Sequence, residues 1–197
     1  MHKGLKRLPI SFRYGWKLYE AYVHFFISKG LIKIKGYEKK LKNFKLNRFL
    51  NDIPEGSKDK EGVNIQILII QVLFLLKDDK IDQAINRMQV LHQYSGKYLK
   101  KDHTYRSNVF IRMLIVLIRN QMHREAVIRK SAKYLKMLKD NPIEKSKQSI
   151  GIEVVPFEDL WEIIIADTKN EFRFTPAKVK KINEAFGTGR RASKTKK

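Results

Sequence analysis

The sequence predicts an all-α fold of stacked helical hairpins, completed by C-terminal capping helices and a basic tail. Two observations predict it. Two apolar helical runs, Ile65–Leu76 and Val109–Ile118, are each followed by a polar break and a second amphipathic helix. Set 42 residues apart, the two halves align without a gap. Leu75-Leu76-Lys77-Asp78 lies over Leu117-Ile118-Arg119-Asn120, and Gln83-Ala84-Ile85 over Glu125-Ala126-Val127. One helical hairpin thus occurs twice, and such units bury their apolar faces by stacking on one another.

Taken in order, Met1–Arg13 is a basic lead-in without a clear period. Tyr14–Ser28 reads as an aromatic-rich helix closed by Gly30, with Trp16, Tyr19, Val23 and Phe26 on one face and expected in the core. Leu31–Gly36 alternates Leu-Ile-Lys-Ile-Lys, which suits a short strand, an extended link or a helix. Tyr37–Leu50, with Leu41, Phe44, Leu46, Phe49 and Leu50 among lysines, reads as an amphipathic helix stopping before Pro54. Pro54, Gly56, Ser57 and Gly62 make Asn51–Gly62 a loop.

The first hairpin is Val63–Leu76, a break at Lys77-Asp78-Asp79-Lys80, and Ile81–Tyr94 or slightly beyond; Gly96, Lys100, Lys101 and Asp102 form the connector. The second is Thr104–Ile118, a break near Asn120, and His123–Leu138, ended by the turn chemistry of Asp140-Asn141-Pro142. Within His123–Leu138, Val127, Ile128, Ser131, Leu135 and Leu138 gather on one side, opposite Arg129, Lys133 and Lys136.

After a polar link, Ile150–Val155 reads as a short extended piece. Pro156-Phe157-Glu158-Asp159 opens another helix, its acids placed where the helix dipole favours them. The apolar body Leu160–Ala166, with Trp161, is expected to cap the open end of the preceding helices. Thr175 as N-cap and Pro176 at N1 begin a last helix with the stripe Val179, Ile182 and Phe186, and Gly187 ends it. Residues 1–140 are therefore expected to form one helical repeat-like domain, 141–186 its capping helices, and 187–197 a disordered basic tail with nothing to bury.

Paired helices with an alanine early in the second one (Ala84, Ala126) resemble tetratricopeptide-like repeats over Asn64–Lys139. The period of 42 exceeds that family's roughly 34 and lies near the roughly 40–47 of HEAT and armadillo repeats. The resemblance implies a groove between stacked helices that holds a peptide or a partner subunit.

No residue pattern supports an enzyme. Cysteine is absent, which removes disulfides, thiolate metal sites and cysteine nucleophiles. The five histidines include no pair at i,i+3 or i,i+4, the ten glycines form no phosphate-cradling loop, and there is no Gly-x-Ser-x-Gly elbow. Arg87-Met-Gln-Val-Leu-His92 has the Arg-to-His spacing that resembles all-helical ribonucleases of the HEPN type, but Met88 stands where a polar residue usually follows the Arg. Arg119 to His123 is one residue short. Glu158, Asp159 and Glu162 are explained by the helix dipole. No cofactor is expected.

Charge carries the functional expectation. The chain has 42 Lys and Arg against 20 acids, a net +22, distributed in blocks. Residues 1–50 hold a surplus of eleven, 97–148 a surplus of ten and 171–197 a surplus of seven, separated by mildly acidic stretches. Blocks of this kind create faces or ends of strong positive potential and imply a polyanionic partner. The expected contacts to nucleic acid, RNA or DNA, are Lys3, Lys6, Arg7, Arg13 and Lys17 near the N-terminus, Arg129, Lys133 and Lys136 on one helix, and Arg190, Arg191 and Lys194 in the tail. Aromatics among these lysines (Phe12, Tyr14, Trp16, Tyr19, Tyr22) could stack on bases, but at helical spacing the core is the expected place for them. A second class of partner is an acidic peptide or protein subunit bound as on a tetratricopeptide-like scaffold. The most apolar window, Ile65–Leu76, is twelve residues long and includes Gln66 and Gln71, short of the roughly 20 a bilayer needs, so no membrane partner is expected. The basic start is followed by neither an apolar h-region nor a small-residue cleavage site, which predicts a cytoplasmic protein.

Overall fold

A computed structural model of the chain describes residues 10–33, 35, 44–51, 63–98, 104–145 and 153–187. They form helices α1 (Ile10–Ser28), α2 (Leu46–Asn51), α3 (Val63–Lys77), α4 (Ile81–Tyr98), α5 (Tyr105–Arg119), α6 (Arg124–Asp140), α7 (Phe157–Ala166) and α8 (Pro176–Phe186), with a 3-10 turn at Ile143–Lys145. No strand occurs among the described residues; His123 and Lys169 share one isolated parallel bridge. Residues 31–33 are irregular, so the extended option there forms no sheet, and residues 37–43 and 150–152 lie outside the described set. No helix among the described residues is long and apolar enough to cross a membrane.

The centre is α3. Every side chain from Asn64 to Leu75 is buried, because α1 packs on one side, α4 on another, and α5 reaches it through a polar contact. A helix surrounded this way has no polar face, which is why its sequence is apolar all round. Its buried glutamines are paired. Gln66 accepts from the Tyr22 hydroxyl at 3.4 Å and donates to Ser107 Oγ at 3.4 Å, threading α1, α3 and α5 together, and Gln71 donates to the Phe49 carbonyl at 2.6 Å. Burial, and then the nearby charge of Glu153, push the Tyr22 phenol well above its usual pKa, so it stays a neutral donor.

Both hairpins reverse in the same way. Lys80 N–H donates to the Leu75 carbonyl and Asp79 N–H to that of Leu76; 42 residues on, Met122 N–H donates to Leu117 and Gln121 N–H to Ile118. This paired closure needs a left-handed residue after the helix, supplied by Asp79 (φ 57°) and Gln121 (φ 56°). The second turn then adds Met122, also left-handed (φ 58°), before α6 begins at Arg124. The gapless alignment therefore holds through the turn and slips by one residue after it. Val127, not Ala126, takes the fully buried place that Ala84 holds in α4.

Two apolar stripes run along α1, and the core takes the one that periodicity did not select. Leu18, Ala21, Tyr22 and Phe25 are buried against α3, whereas Trp16, Tyr19 and Val23 are exposed and Phe26 is only partly buried. The small Ala21 lets α1 approach α3, and Phe25 meets Phe74 edge-on at 5.3 Å. A second aromatic group joins α5 to α7, with Phe110 stacked on Phe157 at 4.4 Å and edge-on to Trp161 at 6.5 Å. The last helix, α8, is capped as expected, Thr175 Oγ1 accepting from Lys178 N–H, and it lies across both α4 and α5.

His24 sits against Phe44 (4.7 Å) and Phe74 (6.1 Å) with its Nδ1 buried and unpaired. Burial, and then the positive charge of Lys77, lower its pKa below the ordinary 6.5, against a smaller opposing pull from Glu20. Below pH 6.5 the unfolded chain then takes up a proton that the folded chain resists, so stability falls as pH drops from 6.5 towards the folded-state pKa. Urea unfolding from pH 7.5 to 5 is expected to show this decline. His24→Phe is expected to flatten it; an equally steep decline in the variant would assign it to other groups.

Candidate nucleic-acid interface

The described part of the expected basic surface centres on α6. Its N-terminal end is tied down by Arg124, whose backbone N–H donates to the Lys169 carbonyl and whose guanidinium donates to the Ile165 carbonyl at 2.6 Å. Glu125 exchanges hydrogen bonds with Asn170. Val127, Ser131 and Leu138 are buried beneath; Ile128, expected with them, is 45% exposed because its position turns past the contact with α5 and α7.

The C-terminal end of α6 is held by a residue that sequence reasoning passed over. Arg106, in the first turn of α5, is 1% exposed. Its guanidinium donates to Glu153 through Nε (2.9 Å) and Nη2 (2.8 Å), to Glu158 through Nη2 (2.6 Å), and to the carbonyls of Leu138 (2.9 Å) and Asn141 (2.6 Å) through Nη1. Two of these acceptors are the carbonyls of Leu138 and of the C-cap Asn141 at the end of α6, where backbone acceptors run short of partners; the Leu138 carbonyl also accepts from Asn141 N–H at 3.0 Å. Glu153 also accepts from Phe157 N–H at 2.7 Å, closing the start of α7. Burial alone would lower the guanidinium pKa; the hydrogen bonds and charge of Glu153 and Glu158 more than reverse this and hold it above the usual arginine range. Arg106 stands among Thr104, Ser107 and Asn108, and its carboxylates lie about 50 residues away, so no periodic signal marks it.

Between these anchors, Arg129, Lys133 and Lys136 are exposed as expected, and Lys130 and Lys139 join them. Helical rise places Arg129 and Lys133 about 6 Å apart along the axis, and Lys133 and Lys136 about 4.5 Å. Lys130 donates to Asn120 Oδ1, and the Lys133 ammonium lies 4.8 Å from the Tyr134 ring centroid. Among the described residues, none of the five pairs with a carboxylate. The α1 cations contribute less than expected. Arg13 is half-buried with its Nε unpaired, and Lys17 is half-buried and already partnered. Lys3, Lys6, Arg7, Arg190, Arg191 and Lys194 lie outside the described residues.

Other candidate chemistry has structural explanations. Among the described residues no group of three His, Asp or Glu side chains could hold a metal ion. Arg87 donates to the Leu50 carbonyl and His92 packs on Phe186, while His123 stands at the N-cap position of α6 without a side-chain capping bond and packs on Phe172 at 4.5 Å. A cleft of about 190 Å³ lies between the C-terminal ends of α1 and α3, Met122 and α7. It is smaller than the roughly 300 Å³ at which ligand pockets begin. Its rim charges are also consumed in pairs, Lys29 with Asp167 and Arg173 with Asp79. The seam where α4 meets α5 is covered by α8.

No protein-family model, curated protein or solved structure matches the chain.

Proposed function

We propose that the chain is a non-enzymatic helical module that binds a polyanion, RNA or DNA, through the outward face of α6. One observation carries this reading: Arg129, Lys130, Lys133, Lys136 and Lys139 are exposed along one helix and none has a carboxylate partner among the described residues. Exposed lysines and arginines one turn apart follow a phosphate backbone without reading its sequence, so binding is expected to be salt-dependent and nearly indifferent to base order. The basic N-terminal and C-terminal blocks would add to the same field. The pairing of α3 with α4 and of α5 with α6 supports a repeat-like architecture, on which α6 presents its charges from a backbone held at both ends.

Fluorescence anisotropy with a single-stranded RNA and a duplex DNA, at about 50 and 200 mM salt, tests this. The chain truncated after Phe186 is expected to retain binding, and affinity is expected to fall by about 100-fold between the two salts. The combined variant Arg129→Ala, Lys133→Ala, Lys136→Ala, all at exposed positions, is expected to keep its melting temperature and lose at least about 30-fold in affinity at the lower salt. Its salt slope should fall by about 2 to 3, one contact for each cation removed. Unchanged affinity in that variant would remove α6 from the interface.

A further inference from the structure

The outer side of α1 carries the largest exposed apolar feature of the described residues. Of ten exposed large hydrophobic side chains, six lie between Phe12 and Ile32. On α1 itself Phe12 (67% exposed), Trp16 (55%), Tyr19 and Val23 recur at i, i+4, i+7 and i+11. This 4-3-4 spacing is the seam by which one helix pairs with another, and here it runs for about 16 Å. It lies across the helix from Leu18, Ala21, Tyr22 and Phe25, so the fold uses one stripe and leaves the other bare. Tryptophan and tyrosine are the residues that most often dominate binding energy at protein interfaces.

Gly15 is a second, separate observation. It stands mid-helix on the same side, three residues after Phe12 and four before Tyr19, and a Cβ placed on it would meet nothing within 4 Å. The fold has no steric need for glycine there, and glycine is the poorest helix former after proline. What it provides is bare backbone between two exposed rings, where another helix can come close.

Charge selects the occupant. The only acid of α1 is Glu20, the exposed Lys33 and Lys35 follow the helix, and residues 1–50 hold a surplus of eleven positive charges. A second copy of the chain would set two such surfaces against each other, and like charges across an interface are repelled. Nucleic acid would use the three rings but gain nothing from Val23, which has no face on which a base stacks. We propose that the outer seam of α1 docks one amphipathic helix of a partner protein, carrying acidic residues beside its apolar stripe. The site is independent of the polyanion face on α6, so each reading stands or falls alone.

Trp16 makes the seam visible. The chain has two tryptophans, and Trp161 is 3% exposed, so solvent-quenchable emission comes from Trp16. The full chain would be titrated with a synthetic 21-residue helix bearing Leu at heptad positions a and d and Glu at e and g, whose like charges keep it from pairing with itself. The same peptide with Lys at e and g, and a single-stranded oligouridine, serve as the other arms. The Glu peptide is expected to shift Trp16 emission to the blue and protect it from acrylamide, saturably; the Lys peptide is expected to do neither. Phe12→Ala should weaken the Glu peptide by about tenfold with melting unchanged. Gly15→Ala should raise the melting temperature while weakening the peptide, a split that a purely structural glycine would not produce. No response to the Glu peptide, or an equal response to the Lys peptide, would overturn the proposal. So would a response to oligouridine alone, which would make the stripe a base-stacking platform. The α6 triple variant is expected to bind the Glu peptide normally, which keeps this result separate from the polyanion test.

Discussion

Arg106→Leu is expected to destabilise the fold by about 3–5 kcal/mol, the cost of stranding carboxylates that a buried partner had neutralised. Glu153 is the more exposed to this loss, with its side chain only 2% accessible, against 19% for Glu158. The substitution also takes the donor from the Asn141 carbonyl and leaves the Leu138 carbonyl only its bond from Asn141 N–H. Three connections fail together, because one guanidinium ties the start of α5, the end of α6 and the start of α7. In a chain of this size such a loss lowers the melting temperature by about 10 °C or more. Arg106→Lys keeps the charge but cannot fork to two carboxylates and two carbonyls, so a loss of about 2 kcal/mol is expected there. Replacing Arg106, Glu153 and Glu158 together by leucine should recover part of the deficit, since no buried charge remains. Recovery should stay incomplete, because Phe157 N–H and the Asn141 carbonyl have lost their partners. Urea unfolding measures all three. An Arg106→Leu variant within about 1 kcal/mol of the parent would mean that the cluster opens to water and is not the latch described.

Phe74→Ala is expected to cost a similar 3–5 kcal/mol by a different mechanism, lost transfer energy and the cavity left behind. Phe74 is 1% exposed, and its ring contacts Phe25 at 5.3 Å, His24 at 6.1 Å, Phe44 at 6.2 Å and Phe49 at 6.4 Å. These neighbours come from α1, α2 and the residues before α2, so removing the ring loosens the attachment of the N-terminal segments to α3. Hydrogen exchange is expected to quicken in α1 more than in α5 and α6, whose aromatic group around Phe110 is separate. Phe74→Leu retains most of the volume and should cost about 1–1.5 kcal/mol. Equal acceleration across all helices would show instead that the two aromatic groups unfold as one unit.

Much of the helical pattern was legible from residue order. Helical period, turn chemistry at residues 77–80 and 140–142, and the Thr175-Pro176 start are local signals, and the helices begin or end within a few residues of where those signals lie. The start of α1 was missed by four residues because Ile10–Arg13 carries no distinctive pattern of its own. For the candidate site, Arg129, Lys133 and Lys136 were legible because a surface stripe on one helix depends only on 100° per residue. Lys130 and Lys139 escaped, lying at the edges of that arc where burial depends on which neighbours pack alongside.

Sequence alone determined that the described chain is helical, that the segment at residues 65–75 is buried all round, and that the hairpin turn recurs after 42 residues. Each of these follows from interactions between residues a few positions apart, or from the apolar content of a single helix. The tertiary structure decided which of the two apolar stripes of α1 faces the core, since both satisfy the helical period and only the surface of α3 discriminates between them. It also decided that Arg106 joins Glu153 and Glu158, and that the second hairpin shifts by one residue at Met122. Long-range pairing of single charges, and the insertion of one left-handed residue, leave no periodicity in the sequence. They exist only once the helices have packed.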